Sequence, residues 1–313
     1  MGTIDLNLVG KQINNEKFCV YLKKTILDQW KCKRDIYPCT SPVLVNRTDF
    51  QKIKEYDYIT SVYLKEKSVI LFVTTDSYNK KLCILCDKLF NFYKIELKCS
   101  NVSYYGSLFD CQILRDGDNY SIFINDCVSI FGEPIKNMSF EYRLANIELF
   151  VYNHIIEANP KISVLTKPYF RLNKPIPFSK EIIGSMGLVF IPNNLPVISG
   201  TQKSNLLWLP NGEHTVDLQV VEDNENNDLI LNSYNFKNLF KYATISNEEL
   251  ITKIKELEDY QNGCIVEFNI KNKYLEPLMV KKDKLYPNGL RVIEIILYTI
   301  TENIELSDFN DFF

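Results

Sequence analysis

One stretch, Met186 to Asp217 (MGLVFIPNNLPVISGTQKSNLLWLPNGEHTVD), limits what this chain can become more than any other. Gly187-Leu188-Val189-Phe190-Ile191 reads as a buried strand, because a short unbroken apolar run bounded by turn residues has no polar face to give to solvent. Pro192, Pro196 and Gly200 then force a loop, and a second apolar run, Leu206-Leu207-Trp208-Leu209, is closed by Pro210. Two short strands joined in this way form the wall of a cleft.

The 313 residues, 46% of them hydrophobic, suffice for one large or two modest domains. A formal net charge of -3 argues against a strongly basic nucleic-acid surface and leaves room only for a local basic groove. Nine cysteines, no signal-peptide pattern and no apolar run near 18 residues imply a reducing, intracellular setting. Cys83 and Cys86 form a C-x-x-C with no second pair at zinc spacing, so both read as small core residues. With His154 and His214 the only histidines, little remains for a His-based triad or metal site.

Along the chain, residues 1–36 read as a helical lead-in, with Phe18, Tyr21, Leu22, Ile26, Leu27 and Trp30 at helical spacing. Two apolar runs, Tyr58 to Leu64 and Ser68 to Val73, flank Lys65-Glu66-Lys67 as a hairpin with a charged tip. Asp116-Gly117 marks a tight turn. Phe140 opens an amphipathic helix to about Glu157, and Val164 to Leu172 reads as one strand. Further on, Ser246 and Glu249 form a capping box for a helix ended by Gly263. Strands at 264–268 and 274–280 follow, then a helix from about Asn288 to Ile304 and an acidic, aromatic tail that is either a docking peptide or packed on its own domain.

The order strand, P-x-x-x-P, G-T, L-L-W-x-P, T-V-D resembles the segment of mRNA capping guanylyltransferases that joins their nucleotide-binding domain to an OB-fold domain. Three further segments extend the resemblance over roughly residues 8 to 305. They are Gly106-Ser107-Leu108-Phe109-Asp110-Cys111-Gln112, the strand ending at Asp126, and Lys281-Lys282-Asp283-Lys284-Leu285-Tyr286-Pro287-Asn288. The resemblance implies an α+β chain: a nucleotidyltransferase domain of ATP-grasp-like antiparallel sheets at 1–215, and an OB-fold domain with added helices at 216–313.

It also implies site residues. The family's nucleophilic lysine, in K-x-D-G, falls on Tyr63 when counted without gaps from Asp57-Tyr58, and on Lys65 if two residues are inserted. Nucleotide- or phosphate-binding roles carry over to Asp110, Gln112, Asp126, Lys167, Lys281, Asp283 and Lys284. Gln112 stands where the family has Glu, Met186 where it has an acidic residue, and Leu207 and Leu209 where it has lysines. For the stacking aromatic before Asp126 the chain has Ile122, with Tyr120 and Phe123 nearby.

Guanylyl transfer crowds negative charge around phosphorus and needs several cations to stabilise it. So many substitutions imply a non-catalytic accessory or binding subunit of a capping or transcription complex, with a protein partner, no metal site and no cofactor. Two alternatives stand beside it. One is a divergent active enzyme that uses GTP and Mg2+ or Mn2+ and forms a lysine-GMP intermediate. The other is an RNA-end binder acting through the OB-like domain. None involves a membrane, and the setting is the nucleus or the cytoplasm, a viral factory included.

Overall fold

The structure, a computed structural model, describes residues 4–32, 36–64, 67–172, 185–223, 225–235, 238–271 and 274–312. The chain divides into two compact units. One holds Ile4–Val43 and Gln51–Leu207; the other holds Leu44–Phe50 and Trp208–Asp311.

In the first unit an eight-stranded sheet runs in the order Lys11–Gln12, Phe92–Lys94, Lys81–Cys86, Lys67–Thr75, Ser107–Asp116, Asn119–Ile130, Glu133–Pro134, with Ile162–Thr166 added parallel to Asn119–Ile130. Its strands are buried on both faces. Val69, Leu71 and Val73 pack into one hydrophobic cluster, and Ile70 and Phe72 into another. That is why these strands read as unbroken apolar runs rather than alternating ones.

Helix α1 (Glu16–Trp30) covers the second face. Asn15 caps it by accepting from the Phe18 N–H at 3.0 Å, and Leu22, Ile26 and Trp30 are its buried stripe. Each such aliphatic side chain contributes on the order of 1.5–3 kcal/mol. The helical lead-in is therefore shorter than the sequence suggests: a 3-10 turn (Leu6–Leu8) and the strand Lys11–Gln12 precede α1, and Tyr21 is exposed. Cys83 and Cys86 are core residues. The two-residue turn after Asp116 places Gly117 at φ 59°, where a side chain would be strained.

A five-stranded sheet lies in the order Tyr169–Arg171, Tyr58–Leu64, Ser185–Pro192, Gly200–Trp208, Thr40–Leu44. This corrects the hairpin expectation. Tyr58–Leu64 belongs to this sheet and Lys67–Thr75 to the larger one, so the chain passes from sheet to sheet between Leu64 and Lys67. Two adjacent apolar runs look the same whether they pair with each other or with strands distant in sequence, and only packing distinguishes them.

Helix α2 spans Asp49–Glu55, and α3 spans Phe140–Leu149. A π turn (Phe150–His154) ends α3 and leads into the strand Ile155–Ala158, so the helix stops short of Glu157. The single strand expected over 164–172 is split at Lys167-Pro168.

In the second unit the strand order is Asn238–Ile245, Asp228–Asn235, Thr215–Asp223, Ile265–Lys271, Tyr274–Val280, all antiparallel. Helix α4 (Glu248–Lys255) lies between the third and fourth strands in sequence. A meander of three strands, a helix, then two strands returning beside the first is the connectivity of a partly open five-stranded OB barrel. The cap of α4 is Asn247, which accepts from the Leu250 N–H at 2.8 Å, not Ser246; the helix ends at Lys255, before Gly263. Helix α5 spans Leu290–Glu302.

The tail packs on its own unit. Phe309 is buried against Trp208 and Phe50, and Arg47 pairs with Asp308 at 3.1 Å.

Candidate functional site

Three elements of the first unit converge beside the crossing between its sheets. Tyr58–Leu64 ends at the Leu64 carbonyl, Ser107–Asp116 carries Gln112, and Lys167 sits between the strands Ile162–Thr166 and Tyr169–Arg171. The Gln112 amide donates to the Leu64 carbonyl at 3.0 Å, and its oxygen accepts from the buried Lys167 ammonium. Gln112 and Lys167, named from the sequence as separate binding residues, thus meet in the fold. Lys65 itself lies outside the described residues. Tyr63 is paired with Gly187, and the register shift between Ser185 and Gly187 makes Met186 the extra residue of a bulge at that level. Leu207 is buried, and Leu209 is half-buried.

A second cluster lies on the same pair of strands. Asp110 is buried and faces Asp126 across the ladder. Burial first, and the Asp126 charge second, push the Asp110 carboxyl up to about 7. Its oxygens accept from the Thr40 N–H at 3.3 Å and the Asn125 amide at 3.5 Å. Asp126 is held by both arms of the fully buried Arg143, at 2.7 and 3.0 Å, and Arg143 also donates to the Met138 and Leu195 carbonyls. The motif aspartates therefore serve a buried network that ties a sheet strand to the start of α3 and to the loop after Pro192. Ile122 and Tyr120 are core residues.

Arg143 and Asn193 were not singled out from the sequence. Arg143 left a signal: it occupies a position in the apolar stripe Phe140, Arg143, Ile147, where an arginine needs a buried partner. Asn193 left none. It joins Asp57 to α3, donating to the Asp57 and Glu141 carboxylates at 2.8 and 3.1 Å and accepting from the Glu141 N–H at 3.0 Å.

These donors do not suit a divalent cation, which takes several charged oxygens. Burial holds the Asp110 carboxyl up at about 7, so it is only partly ionised near neutrality, Asp126 is committed to Arg143, and Gln112 and Met186 bring no charge. Among the described residues no group of three acidic, histidine or cysteine side chains could hold a metal ion.

In the second unit Lys281 lies 3.5 Å from Glu267, and Lys284 lies 2.5 Å from Asp217. Burial alone would lower the Lys281 ammonium pKa, but the carboxylates of Glu267, Asp283 and Asp217 outweigh it and hold it raised. Asn288 inserts between two strands. Its N–H donates to the Asp217 carbonyl at 2.7 Å, its side-chain oxygen accepts from the Asp217 N–H at 2.7 Å, and its carbonyl accepts from the Tyr234 N–H at 3.0 Å. The motif Lys281 to Asn288 is thus a clamp within this unit.

Residues 5–211 match the family described as mRNA capping enzyme, catalytic domain. The mRNA-capping enzyme subunit alpha of Saccharomyces cerevisiae is 22% identical over 359 aligned positions, covering 88% of this chain and 78% of the yeast protein. Solved DNA ligases are more distant. A Lig E ligase gives a TM-score of 0.39 at 13% identity, covering 79% of this chain and 100% of that one. The Chlorella virus DNA ligase-adenylate gives 0.37 at 8%, covering 78% and 96%. The ligase domain of M. tuberculosis LigD gives 0.38 at 8%, covering 80% and 96%. Scores this low bear on neither function nor domain arrangement.

Proposed function

The chain belongs to the mRNA capping enzyme family, and from that premise we propose that it is a non-catalytic guanylyltransferase-like subunit, a binding or accessory component of a capping or transcription complex. Residues 5–211 form a capping-enzyme-type nucleotidyltransferase domain. The observation that carries the proposal is the Gln112 amide, which accepts from Lys167 while donating to the Leu64 carbonyl. A neutral amide supplies no charge to a cation, and its oxygen is already engaged by an ammonium. Met186, Leu207 and Leu209 likewise bring no charge. Losing a single oxyanion-type contact costs about 10²- to 10³-fold in rate, and several are absent together. The yeast relative is itself named as a subunit of a capping enzyme, which supports a place in an assembly.

The alternative is a divergent active guanylyltransferase with Lys65 as nucleophile. One observation favours it: Lys65 directly follows Leu64, whose carbonyl accepts from the Gln112 amide.

Incubation with GTP labelled at the α-phosphate and Mg2+ or Mn2+, followed by denaturation, distinguishes the two. No label on the chain is expected, while an active family member labels in parallel. Label that disappears in Lys65→Ala would overturn the proposal.

A further inference from the structure

Helix α5 is apolar on two sides. Its inner side buries Ile293 and Ile296 in the core of the second unit. Its outer side exposes Val292 at 44%, Ile295 at 43% and Tyr298 at 58%. A helix apolar all round is normally covered all round, and here one stripe is left in solvent. Leu285 and Tyr286, just before the helix, are also exposed.

We propose that this stripe packs against the same stripe of a second copy of the chain, α5 against α5 in antiparallel orientation about a two-fold axis at Ile295. The pattern is complementary to itself. Val292 and Tyr298 lie three residues on either side of Ile295, so the rotation sets Ile295 against its own copy and Val292 against Tyr298 of the other chain. Charge follows the same symmetry. Arg291 stands at the start of α5 and Glu302 at its end. The antiparallel arrangement brings each arginine toward the other copy's glutamate, with an axial offset of three residues, about 4.5 Å, within the reach of an arginine side chain. One Glu302 oxygen accepts from the Arg47 N–H at 3.1 Å and the carboxylate also bonds the Tyr298 side chain, while its lone pairs, about four in all, still admit a further donor. Antiparallel helix dipoles add to the attraction. The inference goes beyond the proposed function and is independent of whether the chain transfers GMP.

A contact built on one helix of about 20 Å buries less than the roughly 800 Å² per partner of a standard interface, so the dimer is expected to be reversible and concentration-dependent. Sedimentation of the full chain from about 1 to 200 μM should show its mass rising from 36.6 kDa toward twice that value. Ile295→Asp, on the exposed side, should keep the chain monomeric across the range with an unchanged melting temperature. Under mild oxidation Ile295→Cys should cross-link to itself. Val292→Cys alone should not, but it should cross-link when mixed with Tyr298→Cys, each compared with the native cysteines of the unmodified chain. A wild-type chain that stays monomeric at about 200 μM, or a dimer that survives Ile295→Asp, overturns the inference. So does a dimer in which Ile295→Cys fails to cross-link.

Discussion

The two units have kept different parts of the family pattern. In the first, the resemblance implies charged residues where this chain has Gln112, Met186 and Leu207, while Asp110 and Asp126 lie inside a buried network. In the second, Lys281, Asp283, Lys284, Pro287 and Asn288 survive nearly whole, and Lys281, Lys284 and Asn288 bond to their own barrel. The difference teaches that the residues retained in each unit are those the fold itself uses. A side chain that serves only a ligand can be lost without cost to folding, whereas one that satisfies a buried group cannot. Charge separates the units too. The first holds 25 basic and 19 acidic residues, the second 11 and 20. A barrel this acidic is a poor match for a polyanion, which weighs against RNA binding through the OB-like unit.

The comparison breaks first at Arg143. If Asp126 is retained for the fold, Arg143→Ala strands a buried carboxylate and should cost about 3–5 kcal/mol in urea unfolding. Pairing it with Asp126→Asn should recover part of the loss. A cost near zero would return Asp126 to the list of residues kept for a ligand.

Asp110 gives the next largest effect, and it depends on pH. Its folded-state pKa of about 7 lies above the ordinary carboxyl value, so the folded chain holds a proton that the unfolded chain releases. The stability this proton represents is complete below about pH 4 and is lost as pH rises through 7. Asp110→Asn keeps an oxygen for the Thr40 N–H and removes the charge. It should therefore match the wild type near pH 4 and exceed it by roughly 2–4 kcal/mol at pH 8.5, read from denaturation midpoints at the two pH values. Equal gains at both would show that burial of the charge is not the cause.

Asn288→Ala is the smallest of the three and sharpens the contrast from the other side. Loss of the acceptor for the Asp217 N–H should cost about 1–3 kcal/mol. Hydrogen exchange should quicken around Asp217 and Tyr234 and leave the Ser107–Asp116 strand unchanged.

Much of this was legible beforehand. Family, fold class and α2 from Asp49 to Glu55 follow from the resemblance, whereas the Asp116-Gly117 turn and the strand at 274–280 follow from turn residues and apolar runs, because local chemistry sets them. Gln112 and Lys167 were each named only through the resemblance, and their meeting was not legible, since 55 residues separate them. Arg143 could have been suspected from its place in an apolar stripe; Asn193 could not, because an asparagine in a proline-bounded loop looks like any turn residue.

The sequence by itself determined which stretches are buried strands and which are amphipathic helices, and which positions carry no charge where the resemblance implies one. Tertiary structure alone decided that the strands on either side of Lys65-Glu66 join different sheets, that Asp110 carries a raised pKa, and that the Lys281–Asn288 motif is spent on its own barrel. The physical reason is common to all three. Strand partnership, desolvation and the pairing of charges are set by neighbours distant in sequence, and no local pattern of residue types encodes which neighbours those will be.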